Sequence, residues 1–70
     1  MIKVSSVTLN PDTMEAEVSL FADTKAEVDT AATTDIIGFP INYTIAFGSS
    51  VMTADGDMAF MKSTGLWNWV

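Results

Sequence analysis

The sequence predicts an all-β fold: a small antiparallel sheet or sandwich of hairpins and a C-terminal meander, completed by oligomerisation. Apolar and polar residues alternate in several runs, which is the period of a half-buried strand. Turn-forming residues recur about every eight to ten residues, as in short strands joined by hairpins. Apolar residues make up 49% of the chain and charged residues 17%, a balance that excludes disorder. We therefore expect residues 1–70 to form a single domain.

A hairpin is predicted for residues 1–21. Residues 1–9 are rich in β-branched side chains, which favour a strand. A turn is expected at residues 10–13, because Pro11 fixes φ and the flanking Asn and Asp side chains can bond the local backbone. Residues 14–21 then alternate between an apolar and a polar face. The apolar face consists of Met14, Ala16, Val18 and Leu20, and the polar face of Glu15, Glu17 and Ser19.

Residues 22–35 leave three possibilities open: a short helix, a continuation of the second strand as an extended arm, or an exposed linker. The helical interpretation rests on Asp23 or Thr24 as the N-cap and on Glu27 as a capping-box partner. The Thr- and Ala-rich segment that follows is small and polar, so it can bury little area in any of these conformations.

A β-meander is predicted for residues 36–70. The expected strands are residues 41–47, 51–53, 58–61 and 66–70. Gly48-Ser49 is expected to interrupt the meander, and residues 62–65 to form a later turn. Asp55-Gly56 is the strongest hairpin signal in the chain. The first of these strands is expected to place one set of alternate residues on a single face, namely Ile41, Tyr43, Ile45 and Phe47.

The charge balance argues against two classes of partner. Three lysines and no arginine stand against nine acidic residues, which gives a net charge of −6. Nucleic acids and anionic membrane surfaces both require clustered basic side chains, so neither is an expected partner. No apolar run approaches the roughly 20 residues of a membrane span. Residues 1–9 lack the basic start and hydrophobic centre of a signal peptide, and Met1 is expected to be the start of a gene product.

The sequence offers little for catalysis. The chain has no His and no Cys, so the usual general base and the thiol nucleophile are missing. Gly48-Ser49-Ser50 lacks the pattern of a nucleophile elbow and is interpreted as a strand-break turn. Glu15 and Glu17 share a strand face and could pose two carboxylates together, as glycoside hydrolysis requires, but a solvated face is the preferred interpretation. We predict that the protein is not an enzyme.

Asp55-Gly56-Asp57 is the one motif that invites a metal hypothesis. An EF-hand loop that began at Asp55 would need ligands at its fifth and twelfth positions, and these are Ala59 and Leu66. A hairpin turn is therefore the preferred interpretation, with weak Ca²⁺ binding as the minor alternative. Without His and Cys a structural zinc site is excluded. No metal and no cofactor is predicted.

Association is the expected source of additional stability. In a chain of 70 residues the free energy of apolar burial barely offsets the conformational entropy, and disulfides are excluded because Cys is absent. Residues 58–61 are apolar on both strand faces, which indicates that both faces are covered, one of them by another chain. The predicted oligomer or partner interface comprises Tyr43, Phe47, Met58, Phe60, Met61, Trp67 and Trp69.

The orientation of the two tryptophans is open. Trp67 and Trp69 are two positions apart, so in a strand both indoles project from one face. If Leu66 and Val70 face the core, the indoles point outward and mark a partner or sugar contact. The alternative, given equal weight, places the indoles themselves in the core.

Two stretches resemble small virion proteins of tailed bacteriophages. Residues 16–28 resemble short segments of such proteins, and residues 45–70 resemble their endings. The shared skeleton of the ending is Gly-Ser, a short strand, an Asp-Gly turn, a strand, and a closing Ser-x-Gly-x-Trp. The resemblance covers about half of the chain and extends to head-fibre, capsid-decoration and tail-associated proteins. It implies a non-enzymatic structural protein, made in the host cytoplasm and located in the virion. The expected partners are copies of the same chain, as a trimer or other symmetric oligomer, and other virion proteins.

Two alternatives come from other classes. A small carbohydrate-binding module would use Trp67, Trp69 and Tyr43 as an exposed stacking platform and would work as a monomer. A phage-encoded acidic protein would use its charge to bind a basic host partner and would be absent from particles.

Overall fold

The computed structural model of the protein describes residues 1–62 and 65–70. Strands take up 47% of the described residues and helices 13%, so the prediction of an all-β fold is confirmed. The strands form a single mixed sheet. In chain order the elements are β1 (Ile2–Asn10), β2 (Glu15–Ala22), α1 (Lys25–Thr30), a 3₁₀ turn (Thr33–Asp35), β3 (Ile36–Ile37), β4 (Thr44–Ile45), β5 (Ser50–Thr53), β6 (Met58–Met61) and β7 (Trp67–Trp69).

β1 and β2 pair as an antiparallel hairpin that closes at Asn10 and Glu15. The Asn10 side chain accepts a 3.2 Å hydrogen bond from the Asp12 amide, which is the local bonding typical of Asn at a turn. Met14 lies in the turn at φ 56° and is exposed, so its expected place on the apolar strand face is wrong. The other three residues of that face are buried, namely Ala16, Val18 and Leu20.

A β-bulge divides β1 into two parts. The register of β1 against β2 shifts between Val4 and Ser6, which inserts one extra residue into β1. Val4 lies on the core side of the sheet before the bulge, and Val7 and Leu9 lie on that same side after it, opposite buried residues of β2. The core-facing residues of β1 therefore have even numbers before the bulge and odd numbers after it.

The other edge of β2 pairs in parallel with two strands. β4 lies beside the first residues of β2, and β5 lies beside its last residues. β1 likewise pairs in parallel with β3. The strand order is β3-β1-β2-β5-β6-β7, with β4 beside β2. The sheet is thus mixed, where the sequence suggested only antiparallel pairs. Parallel pairing arises because the long connection after β2 returns to the end of the sheet at which β2 begins.

The strand expected at residues 41–47 is wrong except at Thr44–Ile45, which is β4. Asn42 adopts φ 69°, in the left-handed region, and this interrupts an extended backbone. Ile41 lies in the turn with Asn42, and Phe47 lies in a second turn with Gly48, which has φ 91°. Their side chains are 86% and 71% exposed.

Ser49 fills the break between β4 and β5 along β2. Its hydroxyl accepts a 3.0 Å hydrogen bond from the Val18 amide and donates a longer one, of 3.5 Å, to the Ala16 carbonyl. Ser49 is 1% exposed. The interruption expected at Gly48-Ser49 is present, and the serine hydroxyl supplies the hydrogen bond that a continuous strand would have given to β2.

One side of the sheet, here called the inner face, carries the core, and α1 packs across it. Of the three possibilities for residues 22–35, the structure has the capped helix: Thr24 Oγ1 accepts a 3.4 Å hydrogen bond from the Glu27 amide. Val28, in the middle of α1, is buried against the sheet. The buried apolar residues are Ile2, Ala16, Val18, Leu20, Ala22, Val28, Ile36, Val51, Ala59 and Met61.

β5, β6 and β7 form an antiparallel meander at the edge of the sheet opposite β3. The β5–β6 turn contains the predicted Asp-Gly pair, with Gly56 at φ 91°. Thr53 Oγ1 accepts a 3.1 Å hydrogen bond from the Asp57 amide and fixes this turn. The later turn predicted at residues 62–65 includes residues 63 and 64, which lie outside the described residues.

Candidate interaction surface

Both tryptophans lie on the inner face. Trp69 pairs with Ala59 and Trp67 with Met61, and these two partners are buried. The indole Nε1 of Trp69 donates a 2.8 Å hydrogen bond to the Asp29 carboxylate on α1. Both indoles are half-buried and pack against the core cluster. The structure therefore has the core-facing alternative, in which the two tryptophans link β7 to α1 and its neighbouring loops.

A cation–π contact strengthens this link. Lys25 Nζ, in the first turn of α1, lies 5.2 Å from the centroid of the Trp69 ring. Such a contact stabilises an exposed site by about 0.5–1 kcal/mol. Leu66 and Val70, which flank β7, are exposed instead. The two aromatic rings of β7 are thus used for closing the fold, and they do not form an outward platform with Tyr43, which is half-buried against the core.

The opposite side of the sheet, here called the outer face, carries an exposed apolar patch. The register places Phe21 beside Met52 and Met52 beside Met58. Phe60 projects from the same face of β6, next to Ser50. We call Phe21, Met52, Met58 and Phe60 the outer patch.

The outer patch lines a shallow groove of about 430 Å³ whose remaining side chains include three serines. Met52 is 46% exposed and Phe60 44% exposed, while Phe21 and Met58 are half-buried. Lys3 Nζ lies 6.0 Å from the centroid of the Phe21 ring at one side of the groove. The groove therefore offers apolar area with a few hydroxyl groups and a cation at its rim.

The structure separates the residues that the sequence grouped as one interface. Met58 and Phe60 lie together on the outer face, whereas Met61 is 5% exposed and points into the core. Tyr43 packs against the core with the two tryptophans of β7. Phe47 is exposed in the turn after β4, apart from the groove.

Sequence reasoning missed two members of the outer patch, Phe21 and Met52. Phe21 continues the polar face of β2 after Glu15, Glu17 and Ser19, so its place on the solvent side was available from the alternation alone. Met52 pairs with Met58 across the Asp-Gly hairpin, which has a local signal, but its place beside Phe21 could not be found, because the parallel pairing of β2 with β5 has none.

β6 is apolar on both faces for two different reasons. Ala59 is fully buried on the inner face, beneath residues of this chain. Met58 and Phe60 form part of the outer patch, which is open to solvent in the single chain. The apolar character of both faces of residues 58–61 led to the prediction that another chain covers one of them. In the structure the chain itself covers the inner face, and the outer face is uncovered.

The amino group of Met1 lies in an acidic environment beside α1. It donates a hydrogen bond to the Glu27 carboxylate and another, of 3.0 Å, to Asp23 Oδ2. The bonds to Glu27 and then to Asp23 raise the pKa of the Met1 amine above its ordinary value of 8.0. The bond from the ammonium group lowers the pKa of Glu27 below 4.5.

The remaining acidic side chains are dispersed. Asp55 and Asp57 are exposed at the β5–β6 turn. Glu17 is exposed on the outer face, and Glu15, two positions away, is half-buried. Within residues 1–62 and 65–70, no three acidic side chains come close enough together to hold a metal ion. In the same part of the chain, no helix has the length and apolar character needed to cross a membrane.

Comparisons with known proteins found no match to this chain among family models, curated proteins or solved structures.

Proposed function

We propose that this protein is a non-enzymatic structural component of a tailed-phage virion that assembles symmetrically, on the head or the tail, through its apolar β-surfaces. The observation that carries the proposal is the outer patch. Phe21, Met52, Met58 and Phe60 present aromatic and thioether side chains on the solvent side of a sheet whose other side is already filled by the core.

The composition of the outer patch is typical of a protein–protein contact. Phenylalanine and methionine are enriched in interface centres, from which acidic side chains are depleted. Methionine also adapts its shape to a partner surface. The net charge of the chain is −6, yet the charged group found over the outer patch is the cation of Lys3. The acidic side chains therefore leave this surface free for contact and keep the separate subunits soluble.

The assignment to a virion rests on the resemblance of residues 16–28 and 45–70 to small virion proteins. The second of these stretches includes β5, β6 and β7, and thus three of the four outer-patch residues, namely Met52, Met58 and Phe60. In the proposed assembly each subunit uses this meander to contact a second copy of the chain or another virion protein.

Light scattering over a dilution series tests the assembly. We expect the wild-type chain to be a symmetric oligomer and Phe60→Ser to shift it towards the monomer. The matched control is Ile41→Ser, which removes a more exposed apolar side chain outside the outer patch and should leave the mass unchanged. A wild-type monomer at all concentrations, or equal masses for the two variants, would contradict the proposal.

Mass spectrometry of gradient-purified phage particles tests the location. A structural component should be present at a fixed number of copies per particle and should remain after washing with high salt. Its absence from the particles, with the protein present in the infected cell, would favour an intracellular binding role instead.

A further inference from the structure

The outer edge of β1 is the longest uncovered strand edge in the described residues. β1 extends over nine residues, and β3 pairs with it only at Ile2 and Lys3. Gly38 lies against Val4 just beyond that pairing. No described strand pairs with the outer edge of β1 along residues 6–10. Their outward backbone N–H and C=O groups are therefore available to a further strand.

This edge has none of the side chains that usually prevent strand addition. Natural edge strands are commonly protected by charges or by proline. Residues 6–10 are Ser, Val, Thr, Leu and Asn, so neither device is present. Val7 and Leu9 are 44% and 48% exposed although they lie on the core side of the sheet. An added strand would cover both side chains.

The pattern of the edge is complementary to itself. On one face β1 carries Val7 and Leu9, and on the other it carries Ser6 and Thr8. In an antiparallel pairing of residues 6–10 with a second copy, centred on Thr8, Val7 lies opposite Leu9 and Thr8 lies opposite Thr8. The polar residues Ser6 and Asn10 lie opposite each other at the two ends. Apolar and hydroxyl cross-strand pairs both stabilise a sheet. A pairing of about five residues on each strand also provides roughly four to six backbone hydrogen bonds.

The acidic charge of the chain does not oppose this pairing. Glu17 lies one strand inward from the centre of the edge, opposite Thr8. Across the two-fold axis the two Glu17 side chains are three strand spacings apart, or about 14 Å. This exceeds the Debye length of about 8 Å at physiological ionic strength, so their repulsion is largely screened.

We propose that the free edge of β1 pairs antiparallel with the same edge of a second copy of this chain, which continues the sheet across a two-fold axis. This inference rests on the proposed function in its assumption of self-assembly, but it uses a surface separate from the outer patch. The sheet then extends as β7-β6-β5-β2-β1 through the axis into β1 of the partner. Each outer patch remains uncovered and can make a second kind of contact.

Single-cysteine cross-linking tests the pairing directly, because the natural chain contains no cysteine. Cross-strand neighbours lie about 4.5–5.5 Å apart at Cβ, close enough for a disulfide after a small adjustment. Val7→Cys and Leu9→Cys would be oxidised separately and as an equal mixture. If Val7 lies opposite Val7 of the second copy, Val7→Cys alone gives the disulfide dimer. If Val7 lies opposite Leu9, the mixture gives it. Ile41→Cys, a more exposed position in a turn, measures random collision.

The result expected is a disulfide-linked dimer as the main species for one of these samples and monomer for Ile41→Cys. Equal cross-linking of all samples would overturn the inference. Val7→Lys adds an equilibrium measurement, since two like charges across the axis should weaken the dimer about tenfold. Leu66→Lys, which also replaces an exposed aliphatic side chain by lysine but lies away from β1, should not. Equal effects of the two lysine variants would also overturn the pairing.

Combining the variants separates this inference from the proposed function. If the chain is oligomeric and Phe60→Ser abolishes the oligomer without any β1 cross-link, the edge pairing is wrong and assembly through the outer patch is supported. If the β1 cross-link persists in the Phe60→Ser background, the edge pairing is supported independently of the outer patch.

Discussion

Replacing Ser49 by alanine should destabilise the fold more than its small change in volume suggests. The hydroxyl of Ser49 accepts a 3.0 Å hydrogen bond from the Val18 amide, and both residues are buried, at 1% and 3% exposure. In Ser49→Ala the amide has no acceptor, and a buried unsatisfied donor costs about 1–3 kcal/mol. The second bond, to Ala16, is long at 3.5 Å and adds little. We therefore expect a loss of about 2 kcal/mol in the free energy of unfolding.

In a domain of this size, 1 kcal/mol corresponds to roughly 4–8 °C in Tm, so the expected fall is about 8–16 °C. Urea unfolding monitored by the fluorescence of Trp67 and Trp69 would measure the free energy, at one protein concentration for all variants because association shifts apparent stability. Ser50→Ala is the matched control, since Ser50 is the next residue and is only partly buried on the outer face. Its effect should remain within about 0.5 kcal/mol. If the two variants were equally stable, the bridging role of the Ser49 hydroxyl would be refuted.

Three further predictions concern Trp69, Gly56 and the ion pair between Met1 and Glu27. Trp69→Phe removes the indole donor to Asp29 and should cost about 1 kcal/mol in urea unfolding, with Asp29→Asn retaining most of the stability because an amide oxygen still accepts. Gly56→Ala should cost about 1 kcal/mol or more, since φ is 91° there, and a Tm equal to that of the wild type would contradict this. In a chain whose Met1 amine is unmodified, the ion pair between Met1 and Glu27 should stabilise the fold most between pH 4.5 and 8.0. Its contribution is lost above that window as pH rises through the raised amine pKa, and below it as pH falls through the lowered Glu27 pKa. In Glu27→Gln the urea midpoint should lose the acid-side slope that this pair contributes, whereas the alkaline-side slope should become shallower without vanishing, because Asp23 still accepts a hydrogen bond from the amine.

Local signals predicted the hairpins and offered the helix as one of three possibilities for residues 22–35. The turn at residues 10–13, the Asp-Gly pair and the Thr24–Glu27 cap each involve side chains within a few residues of the backbone groups that they bond. Such interactions are already specified in the sequence before the chain folds. The alternation in β2 placed Ala16, Val18 and Leu20 in the core for the same reason.

Features that depend on distant pairing could not be predicted. Nothing near residues 19–22 or 50–53 indicates that these segments lie side by side in parallel, so the outer patch could not be assembled from the sequence. The period of two in Trp67 and Trp69 shows that the indoles share a face but not which face, because the choice depends on α1 above the sheet. The strand expected at residues 41–47 failed because alternation alone does not detect the left-handed backbone at Asn42.

The parallel pairing of β2 with β5 also has a consequence for the order in which the protein folds. The β1–β2 hairpin and the β5–β6–β7 meander each consist of neighbouring segments, whereas β2 and β5 join only after the long connection between them has closed. Non-local pairings of this kind slow folding. On the ribosome the hairpin and α1 emerge first, and the edge of β2 that pairs with β5 stays unpaired along residues 19–22 until residues 50–53 have been synthesised. The last third of the chain thus sets the time at which the sheet of a newly made molecule can be completed.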